Sequence, residues 1–408
     1  MTVRTELQET PVPVDPAVPA RRWAAVSAGN LVVVLVLSVA SWWLLADPET
    51  SPWHFYPLPF NAALFWAILF VVFAGFNLEF AGFTRLRQPL RGLAIIAATV
   101  VFALLVTWAL AAGLGRVDPD FAAGRAGGLG YFAGALFVLF AFFTYVMAVL
   151  NWGHWPWVTL GLRQPLVGFC EIAFLAVPTI LLFAVFGLPS ISAATPPGTS
   201  LMTLDTVLGF FYSLIVATLL TGAMMDNWPW RLAGPGWRTA LAATVGNIVL
   251  GAVLYVVLLA ISKVLLGSAA VDALGGVVHQ FPAQLGVCWA FWMIMWQNGF
   301  GNRGLGRSPA AVVTTRVVIT FALGIGSFLG YYYGFADRVL HEPVVVGALH
   351  GNALGFFDWL VLWTLFYVVA LESYGLVRRP SGTATSGTAT SGAATSGAAT
   401  SDARPPDA

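Results

Sequence analysis

Ten apolar runs divide this chain, and short polar segments separate them. A helix needs about 20 mostly apolar residues to span the hydrocarbon core of a bilayer. The first run, 23–46, is longer than the roughly 7–15 apolar residues of a signal peptide, so it is predicted to be an uncleaved helix. The pattern predicts an all-α polytopic membrane protein with about ten transmembrane helices. The predicted spans are 23–46, 60–81, 89–114, 129–152, 165–188, 201–226, 237–266, 278–298, 309–333 and 347–376.

Both ends of the chain differ in composition from its apolar centre. Residues 1–20 contain four prolines and three acidic residues and are predicted to form a disordered cytoplasmic arm. Residues 380–408 include a five-residue repeat of Gly, Thr, Ala and Ser, which predicts a low-complexity, disordered cytoplasmic tail. The ten helices are therefore assigned to a single transmembrane domain, residues 21–379.

Composition excludes a soluble fold and narrows the expected partners. The 408 residues are 59% hydrophobic and 9% charged, with a mean hydropathy of +0.82, whereas about 25% of the residues in soluble domains are charged. The formal net charge is +1, so no strong field recruits nucleic acid. The expected partners are the lipid bilayer and a small solute. The sequence contains no P-loop, HExxH, GxSxG or CxxC motif, so enzymatic activity is not favoured.

The distribution of cations predicts the orientation in the membrane. Lys and Arg are retained on the cytoplasmic side of short loops, and 14 of the 19 fall on that side if the N-terminus is cytoplasmic. We therefore expect both termini in the cytoplasm, which agrees with an even number of helices. Because the sequence shows no transit peptide or retention signal, we expect the cytoplasmic (plasma) membrane as its location.

An internal repeat relates pairs of predicted helices. The sequence Leu-Arg-Gln-Pro-Leu at 86–90 recurs at 162–166, and an Asn-Trp pair recurs at the same offset of 76 residues. This offset predicts five two-helix hairpin repeats of the same orientation, packed in a ring with one helix of each pair at the centre. The tellurite-resistance and dicarboxylate transporter group and the plant guard-cell anion channels have a similar architecture, without a shared motif. The predicted equivalent residues at the inner helix ends are Asn77, Asn151, Asn227 and Asn298.

Three ionisable residues fall well inside predicted helices, away from the helix ends, where burial is costly and function is often found. Glu171 and Arg316 lie six and seven residues beyond the prolines that begin their helices, which places both about 9–11 Å from the inner helix start. We expect them to form an ion pair that is either a structural bridge or part of an anion or proton pathway. Asp358 has no obvious partner, and either a proton-carrying role or an unrecognised hydrogen bond would account for it.

Four histidines are predicted on the outer side of the membrane, so a metal or haem site there is a second hypothesis. With nearby acids such as Asp205 and Glu342, the imidazoles offer ligands for copper, zinc, iron or haem. However, no two of them are three or four residues apart, the spacing that places two ligands on one helical face. The absence of a cofactor is therefore the favoured expectation. These histidines are His54, His279, His341 and His350.

Three functions follow from these features. The first is a transporter or channel-like permease for a small solute, with anions included because Arg316 lies in the membrane. The second is a membrane metalloprotein or oxidoreductase that uses the outer histidines. The third is a non-catalytic scaffold subunit. The permease is favoured because hairpin repeats combine with intramembrane charges.

Overall fold

The computed structural model describes residues 20–53, 55–117, 129–192, 195–196, 198–304, 306 and 308–376. Nearly all of the described chain is helical or lies in short turns between helices. The predicted tail, 380–408, and the predicted arm, 1–20 apart from its last residue, lie outside the described residues.

Ten helices of at least 18 residues form the described structure. Nine of them are long and apolar enough to cross a membrane, which supports a multi-pass membrane protein. The remaining one, α8, has 18 residues but carries polar Gln284, Gln297 and Asn298. The helices are α1 Ala20–Leu45, α2 Phe60–Asn77, α3 Leu90–Val117, α4 Leu129–Leu150, α5 Leu166–Ile191, α6 Leu204–Met224, α7 Trp237–Leu266, α8 Phe281–Asn298, α9 Pro309–Arg338 and α10 Ala353–Ala370.

Short elements occupy the connections near the starts of α8 and α10. A helix at Ser268–Leu274 and a 3-10 helix at Gly275–Gln280 precede α8. The strands β1 Val344–Val346 and β2 Leu349–His350 pair antiparallel just before α10. The predicted start of the last helix at 347 is therefore wrong, because those residues form the strand pair.

Burial alternates along the chain. In the apolar stretches of α2, α4, α6 and α10, 67–89% of the residues are buried, and 14 of the 18 residues of α8 are buried. In α1, α3, α5, α7 and α9 the corresponding share is only 17–22%. The five buried helices contact one another in a closed cycle, in the order α2, α4, α6, α8, α10 and back to α2. The apolar side chains exposed on the odd-numbered helices are suited to lipid.

All five buried helices end in the same wide backbone turn. Two consecutive residues adopt the left-handed conformation, with φ between 49° and 66°. The second of them donates its N–H to the carbonyl six residues earlier, and the residue two positions before it donates to the carbonyl five residues earlier. In α2, α6 and α10 the turn follows a π-helical segment. The left-handed pairs are Glu79-Phe80, Gly153-His154, Asp226-Asn227, Gly301-Asn302 and Glu372-Ser373.

One carbonyl in each wide turn accepts a hydrogen bond from a side chain. This carbonyl belongs to the residue three positions before the second left-handed residue. We call these groups, one in each turn, the five terminal carbonyls. Because a helix ends with carbonyls that have no backbone donor, such side-chain bonds satisfy groups that are costly to leave unpaired in hydrocarbon. The bonds, 2.8–3.5 Å long, run from Gln164 Nε2 to Asn77 O, Asn227 Nδ2 to Asn151 O, Arg316 Nη1 to Met224 O, Asn30 Nδ2 to Gly299 O and Gln88 Nε2 to Ala370 O.

The repeated Gln-Pro segments supply two of these donors. Gln88 and Gln164 each donate to a terminal carbonyl and each accept from a backbone N–H four residues later, that of Gly92 or Gly168. A Cβ atom at Gly168 would lie 2.4 Å from the Asn77 carbonyl oxygen, and a Cβ atom at Gly92 would lie 2.9 Å from the Ala370 carbonyl oxygen. The sequence repeat therefore corresponds to a repeated contact between one helix start and the end of another helix.

The wide turns correct the predicted alignment of asparagines. Asn77 and Asn151 do occupy equivalent positions, as the bearers of terminal carbonyls. Asn227 is instead equivalent to His154, 73 residues earlier, and Asn298 precedes its terminal carbonyl by one residue. The offset of 76 residues aligns the Asn-Trp pairs at 151–152 and 227–228 by residue type. The equivalent wide turns that end α4 and α6 are only 73 residues apart.

Replacing Asn30 by the similarly sized Leu removes the donor to the Gly299 carbonyl. Asn30 is 2% exposed, so that carbonyl would remain unpaired in an apolar setting. We expect a loss of stability of about 1–3 kcal/mol, measured as a lower midpoint of thermal unfolding in detergent. Val36→Ala on the lipid-exposed side of the same helix is the matched control and should unfold near the wild-type temperature. Equal midpoints for Asn30→Leu and wild type would contradict the assigned role.

Candidate functional site

Two cavities lie within the ring of buried helices. The first, about 90 Å³, is lined mainly from the C-terminal halves of these helices, and we call it the C-terminal cavity. The second, about 260 Å³, is lined from their N-terminal halves and is called the N-terminal cavity. Each of α2, α4, α6, α8 and α10 contributes residues to both walls. The ring therefore encloses space along its axis at both ends.

Two aromatic side chains separate the cavities. Phe142 of α4 and Tyr212 of α6 border both of them, and both residues are buried. Asp358 of α10 lies beside this pair and lines the C-terminal cavity. The Tyr212 hydroxyl donates to Asp358 Oδ1 at 3.3 Å. A phenyl ring, a phenol and a carboxylate therefore meet where the two cavities approach each other.

Asp358 carries a buried carboxylate of which only one oxygen has a hydrogen-bond partner. The residue is 3% exposed, and Oδ2 has no hydrogen-bond partner within the described structure. Burying a carboxylate without compensation is strongly unfavourable, and such groups bind a proton or a cation instead. Asp358 is thus the group with the clearest capacity to bind something within the ring.

The remaining walls are apolar with a few neutral polar groups. Gln297 and Asn298 of α8 line the C-terminal cavity, and Asn61 and Asn352 line the other. Asn61 Oδ1 is also buried and has no partner in the described part of the chain. Among the lining residues that the structure describes, Asp358 is the single carboxylate, and no Lys, Arg or His is present.

Glu171 lies outside both cavities, at the junction of α2, α4 and α5. Its Oε2 accepts from Asn77 Nδ2 at 2.8 Å and lies 3.0 Å from His154 Nδ1. Burial by itself lowers the pKa of His154, but the hydrogen bond and charge of Glu171, with the charge of Glu79, raise that pKa above its usual value. Glu171 therefore has a histidine partner that the sequence analysis assigned to no site.

Arg316 has a different partner from the one expected. Its Nη1 lies 3.4 Å from the carboxylate of Asp226 and 3.5 Å from the terminal carbonyl of Met224. The predicted ion pair between Glu171 and Arg316 is therefore wrong. Both residues lie within the first eight residues of their helices, but position along a helix does not determine which neighbour a side chain faces. Arg316 does not line either cavity.

The outer histidines have separate partners. His341 Nδ1 lies 2.8 Å from Asp47 Oδ2, and this hydrogen bond is the main reason that the pKa of His341 is raised. His350 and His279 contact the Glu342 carbonyl and the Tyr255 hydroxyl, respectively. His54 lies outside the described residues. The described part of the chain contains no group of three or more His, Cys, Asp or Glu side chains arranged to hold a metal ion.

Glu342 forms a buried polar cluster near the N-terminal cavity. Tyr56 and Tyr331 donate their hydroxyls to its two carboxylate oxygens, and the Asn352 N–H donates to Oε2 at 3.1 Å. Burial raises the pKa of Glu342 to about 7, although these hydrogen bonds lower it in part. From the sequence, Glu342 is expected only as an accessory metal ligand. No local pattern identifies it, because its partners lie 10, 11 and 286 positions away in sequence.

Comparison with known proteins gives no relative for this chain. No family model, no curated protein and no solved structure matches it. The function is therefore argued from the geometry of the described residues.

The pair of His154 and Glu171 predicts a pH dependence of stability. Because the folded-state pKa of His154 is raised, its contribution is fully present below the unfolded-state pKa of about 6.5 and is lost as pH rises through the folded value. The unfolding temperature of wild type should therefore fall, relative to that of His154→Gln, as pH is raised from about 6 to about 8.5. Glu171→Gln removes the charged partner of His154 and should flatten the dependence of the unfolding temperature on pH in the same way. Parallel profiles for wild type and His154→Gln would contradict this assignment.

Proposed function

We propose that the protein is a transporter or channel-like permease, in which a small solute crosses the membrane along the axis of the five buried helices. The observation that carries this proposal is the pair of cavities on that axis, both lined by all five helices and separated by Phe142 and Tyr212. Permeation requires a continuous path that side chains close and open, and an aromatic pair between two cavities is suited to that role.

The proposal includes a repeat and a topology. We propose that the chain consists of five pairs of one exposed and one buried helix, and that the five pairs have the same orientation. The shared wide turns and the lining of one cavity by C-terminal halves support this arrangement. With the cation distribution, the C-terminal cavity and both chain termini would face the cytoplasm, and the protein would reside in the cytoplasmic membrane.

The three intramembrane charges receive different roles in this proposal. Asp358 is the solute-binding or proton-binding group of the path, because it lines a cavity and has an unpartnered oxygen. Glu171 and Arg316 stabilise the ends of buried helices through Asn77 and the Met224 carbonyl. Both lie outside the two cavity walls and each has partners there, although Glu171 Oε1 and Arg316 Nε have none in the described structure. Their position away from the path favours a structural role for both.

Removing the ring of Phe142 tests the path directly. In Phe142→Ala the two cavities would merge, so solute entry into reconstituted liposomes should be several-fold faster than with wild type. The entry of glycerol, methylammonium and formate can be measured separately by stopped-flow light scattering. At least one of the three should enter faster through wild-type protein than through protein-free liposomes, and faster again through the variant.

Phe140→Ala is the matched control for this experiment. Phe140 is buried on the same helix and packs on Phe183 and Phe211, away from both cavities. The control removes the same ring at a similar cost in packing but should leave entry rates near the wild-type values. Size-exclusion elution checks that both variants remain folded. If none of the three solutes enters faster with wild type or Phe142→Ala than without protein, the permease is excluded for this size range.

A further inference from the structure

We infer that the solute is a small cation of the ammonium or primary-amine class, bound by the Asp358 carboxylate in the C-terminal cavity. This inference rests on the proposed permease function and specifies its substrate class. It departs from the sequence-based expectation that included anions, which depended on Arg316. In the structure Arg316 is paired with Asp226 and lies outside the cavity walls.

The charge of the cavity is the first reason. Asp358 Oδ2 is buried and lacks a partner, while the described walls contribute no cationic side chain to either cavity. A permeant anion would therefore meet an acidic group without a compensating charge. A permeant cation would supply both the charge and the N–H donor that Oδ2 lacks.

The C-terminal ends of the buried helices also favour a cation in this cavity. The C-terminal half of each helix lines this cavity, and a helix C-terminus carries a partial negative charge of about half an elementary charge. Side-chain donors satisfy the five terminal carbonyls but leave the rest of the helix dipole in place. The combined field at the cavity favours a cation over an anion.

The other wall groups suit a small organic cation. The aromatic residues Phe76, Phe142 and Tyr212 line the cavity with Asp358, and aromatic faces attract ammonium groups. The volume of about 90 Å³ has room for roughly three water molecules, at about 30 Å³ for each. This size fits ammonium or a short alkylammonium ion and excludes a large amphipathic cation.

Uptake of radiolabelled methylammonium into liposomes with an inside-negative potential tests this inference. Wild-type protein should take up methylammonium well above protein-free liposomes, and Asp358→Asn should reduce that uptake by about tenfold or more. Asp358→Glu keeps the carboxylate and should retain more uptake than Asp358→Asn. Asp272→Asn is the matched control at an exposed acid outside the cavities and should equal wild type. Formate uptake should not exceed the protein-free rate.

Binding gives an independent measurement that does not require a folded variant. Methylammonium chloride should raise the unfolding temperature of wild-type protein in detergent, whereas sodium formate at the same concentration should not, since a ligand of the native state stabilises it. If glycerol or formate enters and methylammonium does not, the cation inference is overturned and the permease remains. If methylammonium stabilises wild type but nothing is taken up, the cation site is supported and the permease is overturned. Neither uptake nor stabilisation would overturn both.

Discussion

The fold depends on pairing the last carbonyls of five helices that end inside an apolar structure. All five carbonyls belong to residues that are buried in the protein, so the protein itself must provide donors. Each buried helix ends in the same wide turn, and in each a side chain from elsewhere donates to the terminal carbonyl. Four of these donors are Asn or Gln and the fifth is Arg316. Four of these bonds join a buried helix to an exposed helix or its first turn, and the bond from Asn227 to Asn151 joins α6 to α4.

That arrangement also accounts for the functional site. Because polar requirements are met at the helix ends, the axis of the ring can be apolar except where function needs a polar group. Asp358 is the charged residue among the described lining residues, with the Tyr212 hydroxyl on one oxygen and no partner on the other. Natural proteins tolerate such costly groups where they bind something. Glu171 also has one oxygen without a partner, but it lies outside both cavities, so its position separates a structural group from the proposed binding group.

Hydropathy predicts the helices well here because a span of apolar residues has few alternatives in a membrane. The repeated Gln-Pro segments also mark a real recurring contact. The pairing of charges was not predictable, because helical depth places Glu171 and Arg316 at one level but leaves their direction around the helix open. His154 was missed for a related reason, since its left-handed turn brings a loop residue onto a buried glutamate. The cavities depend on packing across five helices that local sequence does not encode.

The most direct test of an axial path is the accessibility of single cysteines on α10. With native Cys170 and Cys288 replaced by Ala, one cysteine is placed at Val361, which lines the C-terminal cavity, and another at its neighbour Leu362, which is buried but does not. A charged, membrane-impermeant thiosulfonate is added from the cytoplasmic side, and only a thiolate in contact with water reacts with it. The account predicts that Val361→Cys reacts at least about tenfold faster than Leu362→Cys. Equal rates at the two positions would contradict an aqueous path along the axis of the buried helices.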